Sequence, residues 1–159
     1  MRIYLTGFMG AGKTMVGRAL AQKLNCEFED LDYQIEHTSG ESIESIFETG
    51  GESEFRKRES EILRSINKDP AVISTGGGCF IYNRDWMLSN GKVVYLKVPF
   101  DTLVTRIGAE TSRPLWRNAK QLYDDREVIY ESAHLQVDGT REVEQVANDI
   151  LQKLQNAVE

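Results

Sequence analysis

The segment GFMGAGKT at residues 7–14 constrains the fold of this chain more than any other feature. It satisfies the pattern G-x-x-x-x-G-K-[ST] through Gly7, Gly12, Lys13 and Thr14. The apolar run at 2–6 is typical of a buried strand, and a helical pattern follows at 13–24. A strand that enters such a loop and a helix that leaves it are the context of a phosphate-binding loop. The segment therefore predicts that the chain binds a nucleoside triphosphate.

The residue types of this loop follow from what phosphate binding requires. Backbone N–H groups at the N-terminus of a helix face the phosphates, and small residues let the chain approach them closely. Lys13 would neutralise the β- and γ-phosphates, and Thr14 would offer its hydroxyl to Mg²⁺. We predict ATP contacts at Gly10, Ala11, Gly12, Lys13, Thr14 and Met15.

Strand-like and helical segments alternate along the rest of the chain. The strand-like segments are 2–6, 27–32, 71–75, 92–97 and 134–138, the last of them weak. Val16, Leu20 and Leu24 form one helical stripe, and the segment 42–66 offers two helices. This alternation predicts a parallel, three-layer α/β/α sheet. The 159 residues fit one domain, 1–159.

Charge and cysteine content limit the partners of the chain. A net charge of −6 argues against a broad nucleic-acid footprint, and no apolar run approaches the roughly 18 residues that span a membrane. The N-terminus does not resemble a signal peptide. Cys26 and Cys79 give neither a disulfide framework nor a zinc pattern. We expect a cytoplasmic monomer that binds small molecules and neither nucleic acid nor membranes. Because the net charge is negative, an anionic ligand would have to bind at a local cluster of Lys and Arg.

Two aspartates follow the second strand-like segment. Asp30 and Asp32 lie two positions apart in FEDLD, so they share a face if the chain is still extended there. Carboxylates in that place suit two tasks, holding magnesium through water and accepting a proton from an acceptor hydroxyl. The alternative is that Asp32 caps the following helix.

Several arginines could supply the local positive charge. Arg56 lies on a predicted helix three residues before Glu59, with which it can pair, although a solvated helix face would give the same pattern. Arg113 lies in the proline-broken, cationic segment 110–121, which we interpret as a lid, and Arg126 follows it. A cation brought over the transferring phosphate by a closing lid stabilises its charge and excludes water.

Three consecutive glycines, Gly76, Gly77 and Gly78, follow the third strand-like segment. Such a run costs conformational entropy and adds nothing to the core. One explanation is a tight turn. The other is that a ligand lies against bare backbone here, and both can hold together.

In order along the chain, these motifs resemble those of the shikimate kinase family. The matching segments are GFMGAGKT, FEDLD, SIESIFETGGESEFRKRE, VISTGGG, TSRPL, REVIYESA and VDGT, and they cover essentially the whole sequence. The resemblance implies a nucleoside-monophosphate-kinase-like P-loop NTPase fold with a five-stranded parallel sheet, an acceptor-binding helical region at about 31–60 and a lid at about 110–121. It also implies a Mg²⁺-dependent transfer of the γ-phosphoryl group of ATP to the 3-hydroxyl of shikimate.

The resemblance also implies roles for individual residues. Asp30 would help Thr14 to hold the magnesium shell, and Asp32 would bind the acceptor hydroxyls as the candidate base or as a group that only positions the hydroxyl. Arg56 and Arg126 would clamp the shikimate carboxylate. The expected catalytic residues are Lys13, Asp32 and Arg113.

Further roles follow from the same resemblance. Glu59 would orient Arg56, and Phe47 and Phe55 would line the apolar side of the substrate ring, although both phenylalanines could also be ordinary core. Arg113 would swing toward the phosphates, and Arg106 would lie against adenine. The expected acceptor contacts also include Gly76, Gly77 and Gly78. The chain departs from the family pattern at Trp116, which is bulky for a lid, and in REVIY, which lacks the usual proline.

Other functions share part of this pattern. A gluconate kinase or a nucleotide kinase would explain the phosphate loop equally well, but explains less well the arginine pair and the T-G-G-G turn. A nucleotide-dependent switch is a different class, and the chain contains no N-K-x-D element of the kind that selects guanine.

Overall fold

The fold is built on a five-stranded, fully parallel sheet in a computed structural model that describes residues 1–107 and 118–158. The strands are β1 (Arg2–Thr6), β2 (Glu27–Asp30), β3 (Ala71–Ser74), β4 (Lys92–Lys97) and β5 (Leu135–Asp138). Their spatial order is β2-β3-β1-β4-β5. The predicted sheet and all five predicted strands are confirmed.

Helices connect the strands and cover both faces of the sheet. They are α1 (Lys13–Leu24), α2 (Leu31–Ser39), α3 (Ile43–Ser65), α4 (Cys79–Asn90), α5 (Phe100–Ile107), α6 (Ala119–Tyr130) and α7 (Val143–Val158). Helix α1 packs against α7, and α4 packs against α6 and against β1 and β4. Residues 3–6 and 93–96 are buried without alternation, as expected for strands covered by helices on both faces.

The structure corrects two details of the sequence interpretation and confirms a third. The second strand ends at Asp30, so Asp32 belongs to helix α2 and the two aspartates do not share a strand face. Leu24 is 38% exposed because α1 ends there, whereas Val16 and Leu20 are buried. The two helices predicted in 42–66 are confirmed, because α3 is broken at Gly51, where φ is 73° and ψ is −176°.

The predicted lid at 110–121 lies mostly outside the described residues. Its last residues, 119–121, form the first turn of α6. None of the helices in the described ranges is long and apolar enough to cross a membrane.

Gly17 gives a test of how tightly α1 packs on the sheet. A Cβ at this position would lie 2.6 Å from Cε1 of Phe28, so we expect Gly17→Ala to lower the free energy of unfolding by about 1–2 kcal/mol. At an exposed helix position the same change would raise the free energy of unfolding by up to about 1 kcal/mol. Urea unfolding measures the difference, and Gln22→Ala on the exposed side of α1 is the matched control, expected to be neutral. A stabilised Gly17→Ala protein would show that this contact is not tight.

Candidate active site

The carboxyl ends of β1, β2 and β3 meet at one edge of the parallel sheet, and a cleft of about 300 Å³ opens there. The loop 9–15 lines one side of the cleft. Asp30, Asp32 and the segment 74–77 line the other side. Ligands of open parallel sheets bind outside the carboxyl ends of the strands, so this cleft is the candidate active site.

The loop between β1 and α1 depends on glycine at several positions. Gly10 and Gly12 have φ values of 85° and 93°, in the left-handed region where other residues are strained. At Gly7 a Cβ would lie 2.8 Å from the carbonyl oxygen of Leu96, so a side chain would push the loop off β4. The spacing of the motif is therefore a requirement of its backbone path.

The N-terminus of α1 is open toward the cleft. Gly12 occupies the N-cap position, and within the described residues no side chain caps this end of the helix. The first turn of α1 also carries no acidic residue. Uncapped N–H groups and the positive end of the helix dipole make this a suitable site for an anion.

Lys13 lies across the loop that it follows. Its ammonium group donates to the carbonyl oxygens of Gly7 and Phe8, the second at 3.3 Å. Burial lowers the pKa of Lys13 to about 8, and the nearby carboxylate of Asp32 opposes that shift. The charged form of Lys13 is thus poorly stabilised in the free protein and would gain from a bound phosphate.

Asp30 joins the end of β2 to the phosphate-binding loop. Its Oδ1 accepts from the N–H of Tyr33 at 3.3 Å and caps α2, which was the alternative role considered for Asp32. Its Oδ2 accepts from the Thr14 hydroxyl, also at 3.3 Å. Thr14 and Asp30 therefore present oxygen atoms side by side at the floor of the cleft.

Asp32 has an oxygen atom that is buried without a partner. Its Oδ1 has no hydrogen bond among the residues that the structure describes. Burial raises the pKa of Asp32, helped by the negative charge of Asp30 and opposed by Lys13. A carboxylate with a free oxygen and a raised pKa can accept a hydrogen bond from a ligand hydroxyl and take its proton.

The three glycines after β3 meet three charged side chains. A Cβ would lie 3.0 Å from Asp32 Oδ1 at Gly76, 3.2 Å from Arg126 Nη1 at Gly77 and 2.5 Å from Arg56 Nη2 at Gly78. None of the three has a positive φ. A turn does form here, but close approach rather than backbone conformation requires glycine at these positions.

Arg56 is held by a dense set of contacts. Its Nη1 donates to Oε1 of Glu59 at 2.8 Å, and its Nε donates to Oε1 of Glu52 at 3.4 Å. The rings of Phe55 and Tyr82 lie 5.0 Å and 4.4 Å from its Cζ. Arg56 is therefore not a solvated residue of a helix face.

Glu59 is fully buried beneath Arg56. Burial raises the pKa of Glu59, and the Arg56 guanidinium opposes that shift. Its Oε2 has no hydrogen-bond partner within the described ranges of the chain. Glu59 therefore pairs with Arg56 and keeps one acceptor oxygen free.

The two phenylalanines differ in exposure. Their rings lie 4.9 Å apart, but Phe55 is buried in the core, whereas Phe47 is 38% exposed. Packing alone accounts for Phe55. Phe47 has a ring face available to a ligand, and contact with the substrate remains a prediction for both.

Arg106 connects the loop after β1 to the loop after β5. It donates to the carbonyl oxygen of Gly10 at 3.1 Å and to that of Gly139 at 2.8 Å. It thus holds the phosphate-binding loop against the loop after β5. Arg113 and Trp116 lie outside the described residues.

Two residues near Arg56 had no predicted role, namely Glu52 and Tyr82. Glu52 lies four positions before Arg56 on α3, a spacing that predicts an ion pair and could have revealed it. Tyr82 lies on α4, and no local pattern places its ring against α3.

Lys13 gives a prediction on pH. Because its pKa is about 8 in the free protein, the ammonium group loses its proton as the pH rises through that value. A phosphate ligand favours the charged form, so the Kd of a non-hydrolysable ATP analogue should rise about tenfold per pH unit above about 8. Phosphate groups, which titrate near about 6, are already ionised there.

Titration calorimetry between about pH 7 and about pH 9.5 measures this dependence. Lys13→Arg keeps its charge over the whole range, so its affinity, although lower, should not change with pH. A flat profile for the unmodified protein would contradict the assignment of Lys13 to the phosphates.

The chain is similar to known proteins over nearly its whole length. The shikimate kinase family model matches residues 9–155. A shikimate kinase of Bacillus cereus (strain G9842) is 39% identical over 160 residues, covering 96% of this chain and 97% of that protein. The crystal structure of shikimate kinase from Aquifex aeolicus is 38% identical with a TM-score of 0.92, covering 99% and 98% of the two chains.

Two further structures separate the family from the fold. A shikimate kinase from Acinetobacter baumannii in complex with shikimate is 38% identical, has a TM-score of 0.87 and covers 98% of this chain and 93% of that chain. A gluconokinase from Sinorhizobium meliloti 1021 is 16% identical with a TM-score of 0.63, covers 98% and 92% of the two chains, and shows a shared fold alone. From its family match and its full-length relatives, this chain belongs to the shikimate kinase family.

Proposed function

We propose that this chain transfers the γ-phosphoryl group of ATP to the 3-hydroxyl of shikimate, giving shikimate 3-phosphate and ADP. The observation that carries the proposal is the turn 76–78, where bare backbone meets Asp32, Arg56 and Arg126 beside the phosphate-binding loop. Shikimate carries a carboxylate and several hydroxyls, so it needs cations at one end and hydrogen-bond acceptors at the other. Phosphorylation of shikimate, the reaction of the family, agrees with a site that has cations at one end and hydrogen-bond acceptors at the other.

The nucleotide occupies the loop side of the cleft. We assign its phosphates to the backbone of residues 10–15 and to Lys13, because the uncapped start of α1 and a buried ammonium group favour anions. We place adenine against Arg106, which lies between the loop and Gly139. Arg113 would add positive charge to the phosphates, as the family resemblance implies.

The acceptor occupies the side of the cleft that holds Asp32. Arg56 and Arg126 would bind the carboxylate, because a guanidinium offers paired N–H donors to two oxygens. Glu59 would orient Arg56, with which it already pairs at 2.8 Å. Backbone N–H groups of 76–78 would contact the acceptor, and Phe47 with Phe55 would line the apolar face of its ring.

The chemistry is an in-line displacement at the γ-phosphorus. The oxygen of the 3-hydroxyl forms a bond to phosphorus, and the bond from phosphorus to the bridging oxygen breaks, with its electron pair leaving on ADP. Asp32 orients the hydroxyl and receives its proton, for which a raised pKa is suited. Lys13 and the loop N–H groups offset the charge that develops on the phosphate oxygens.

Magnesium fits the oxygen atoms on the floor of the cleft. The described part of the chain has no group of three or more His, Cys, Asp or Glu that could hold a metal ion. Mg²⁺ commonly binds through one or two protein oxygens, with water and substrate phosphates completing its shell. Thr14 and Asp30, whose oxygens lie 3.3 Å apart, would hold it in this way, Asp30 through water. The ion would neutralise phosphate charge.

We also propose that the chain acts as one domain and as a cytoplasmic monomer. The side chains assigned to both substrates come from a single copy of the chain, so the proposed site needs no partner subunit. Light scattering of the purified protein measures its mass in solution.

A comparison of acceptors tests the function. ADP release, followed by a coupled assay, is measured with shikimate, with gluconate, with nucleoside monophosphates and with no acceptor. We expect turnover with shikimate far above the other three. Stimulation by gluconate or a nucleotide alone would mean another kinase of the same fold, and release only to water would favour a nucleotide switch.

Arg56 and Gly78 give a coupled prediction. Arg56→Ala removes a charge-assisted contact and should raise the KM for shikimate about 10- to 150-fold with little change in the KM for ATP. Gly78→Ala places a methyl group 2.5 Å from Nη2 of Arg56 and should raise the same KM by moving that guanidinium.

The double variant shows whether the two effects share a cause. If Gly78→Ala acts through Arg56, it should have little further effect once Arg56 is alanine. Additive effects would mean that the backbone at 78 contacts the acceptor independently. Equal effects of Arg56→Ala on both substrates would contradict its role as a carboxylate clamp.

A further inference from the structure

We propose that Tyr82 is a positioning residue for acceptor binding, which holds the Arg56 guanidinium in place through both its ring and its hydroxyl. The inference rests on the proposed function, since it concerns the arginine assigned to the acceptor carboxylate. Tyr82 acts only through Arg56 and Glu52 and does not itself contact the substrate.

The contacts of Tyr82 form a closed arrangement with Arg56. The Tyr82 ring centroid lies 4.4 Å from Cζ of Arg56, closer than the 5.0 Å of Phe55. The Tyr82 hydroxyl donates to Oε1 of Glu52 at 2.9 Å, and the same oxygen accepts from Nε of Arg56 at 3.4 Å. One side chain therefore contacts the guanidinium directly and also holds a carboxylate that binds it.

These contacts determine the orientation of the Arg56 guanidinium. Nε faces Glu52 and Nη1 faces Glu59. The guanidinium held in this way lies against Gly78, where a Cβ would be 2.5 Å from Nη2 and 2.8 Å from both Nη1 and Cζ. A free arginine side chain has about 2 kcal/mol of rotamer entropy to lose, and an arginine that is already ordered loses less when a carboxylate binds.

Tyr82 is well placed for this task because its helix, α4, begins directly after the turn. Its N–H donates to the carbonyl oxygen of Gly78 at 3.3 Å, in the first turn of α4. The distance between the Tyr82 ring and the triple-glycine turn is thus set by one helix. Arg56, on α3, is held against that helix.

The ion pair with Glu52 does not explain the order of Arg56 by itself. The Glu52 side chain is 55% exposed and its contact with Nε is long, and such exposed pairs contribute little. Tyr82 is itself 54% exposed, but its ring covers a guanidinium that is only 17% exposed and adds a cation–π contact there. We therefore expect the ring to matter more than the hydroxyl.

Two variants separate the ring from the hydroxyl. Tyr82→Leu removes both contacts and should raise the KM for shikimate about 3- to 30-fold, with kcat within about twofold and the KM for ATP unchanged. Tyr82→Phe keeps the ring and should raise that KM by only about two- to threefold. Equal losses for both substrates, or a Phe variant as impaired as the Leu variant, would overturn the proposal.

An uncharged acceptor shows whether the effect passes through the carboxylate. The methyl ester of shikimate lacks the charge that Arg56 would bind. The unmodified protein and Tyr82→Leu should therefore use the ester with similar kcat/KM. A variant equally impaired on acid and ester would point to a general structural defect and would overturn the positioning role.

A measurement without acceptor keeps this inference separate from the proposed function. The NMR signal of the Arg56 Nε–H, assigned through Arg56→Lys, should be shifted by the nearby rings and should move and become more mobile in Tyr82→Leu. An unchanged signal would overturn the proposal even if shikimate is the substrate. A changed signal in a protein that does not phosphorylate shikimate would contradict the function alone.

Arg84→Leu is the matched control on the same helix. Arg84 is 45% exposed, and its side chain bonds to Ser132 and Asp85 rather than to Arg56. We expect no change in the KM for shikimate or in the Arg56 signal. Thermal unfolding of each variant checks that the fold is retained, and a native-like Tm with unchanged KM in Tyr82→Leu would also overturn the proposal.

Discussion

The absence of side chains at the end of β3 is the constraint on which the candidate active site depends. Over three residues, 76–78, the backbone leaves room for Asp32, Arg126 and Arg56, which lie 3.0, 3.2 and 2.5 Å from the positions that a Cβ would take. Three glycines in succession cost conformational entropy on folding, and no left-handed backbone requires them here. The entropy cost is offset by function, because two cations and a carboxylate converge on one short turn.

Burial shifts the pKa values of two charged groups in this cleft, and a bound ligand would counteract both shifts. It lowers the pKa of Lys13 and raises the pKa of Asp32, so each group is pushed toward its neutral form in the free protein. Their mutual attraction opposes both shifts without cancelling them. A phosphate beside Lys13 favours the ammonium form, and a hydroxyl beside Asp32 supplies the donor that its Oδ1 lacks.

The sequence predicted the fold and the phosphate-binding loop because their signals are local. A strand, a glycine-rich loop and a helix follow one another in residues 2–24, and the other strands are short apolar runs. The expectation that Asp30 and Asp32 share a strand face was wrong because β2 ends at Asp30, two residues before the end of the predicted segment 27–32, which makes Asp30 the helix cap. The contact of Tyr82 with Arg56 depends on how α3 packs against α4, and no spacing along the chain encodes it.

The unpaired oxygens indicate what kind of acceptor the cleft suits. Oδ1 of Asp32 and Oε2 of Glu59 are buried without partners in the described part of the chain. A buried acceptor without a partner costs about 1–3 kcal/mol, so a fold retains two in one region only where something compensates. Burial raises the pKa of both carboxyl groups, and the guanidinium of Arg56 opposes that rise in each. The site thus offers unpaired acceptors for hydroxyl groups and ordered donors for a carboxylate, which favours a polyhydroxy acid as the acceptor. A nucleotide is less suited, because its phosphate would bring more negative charge next to Asp32.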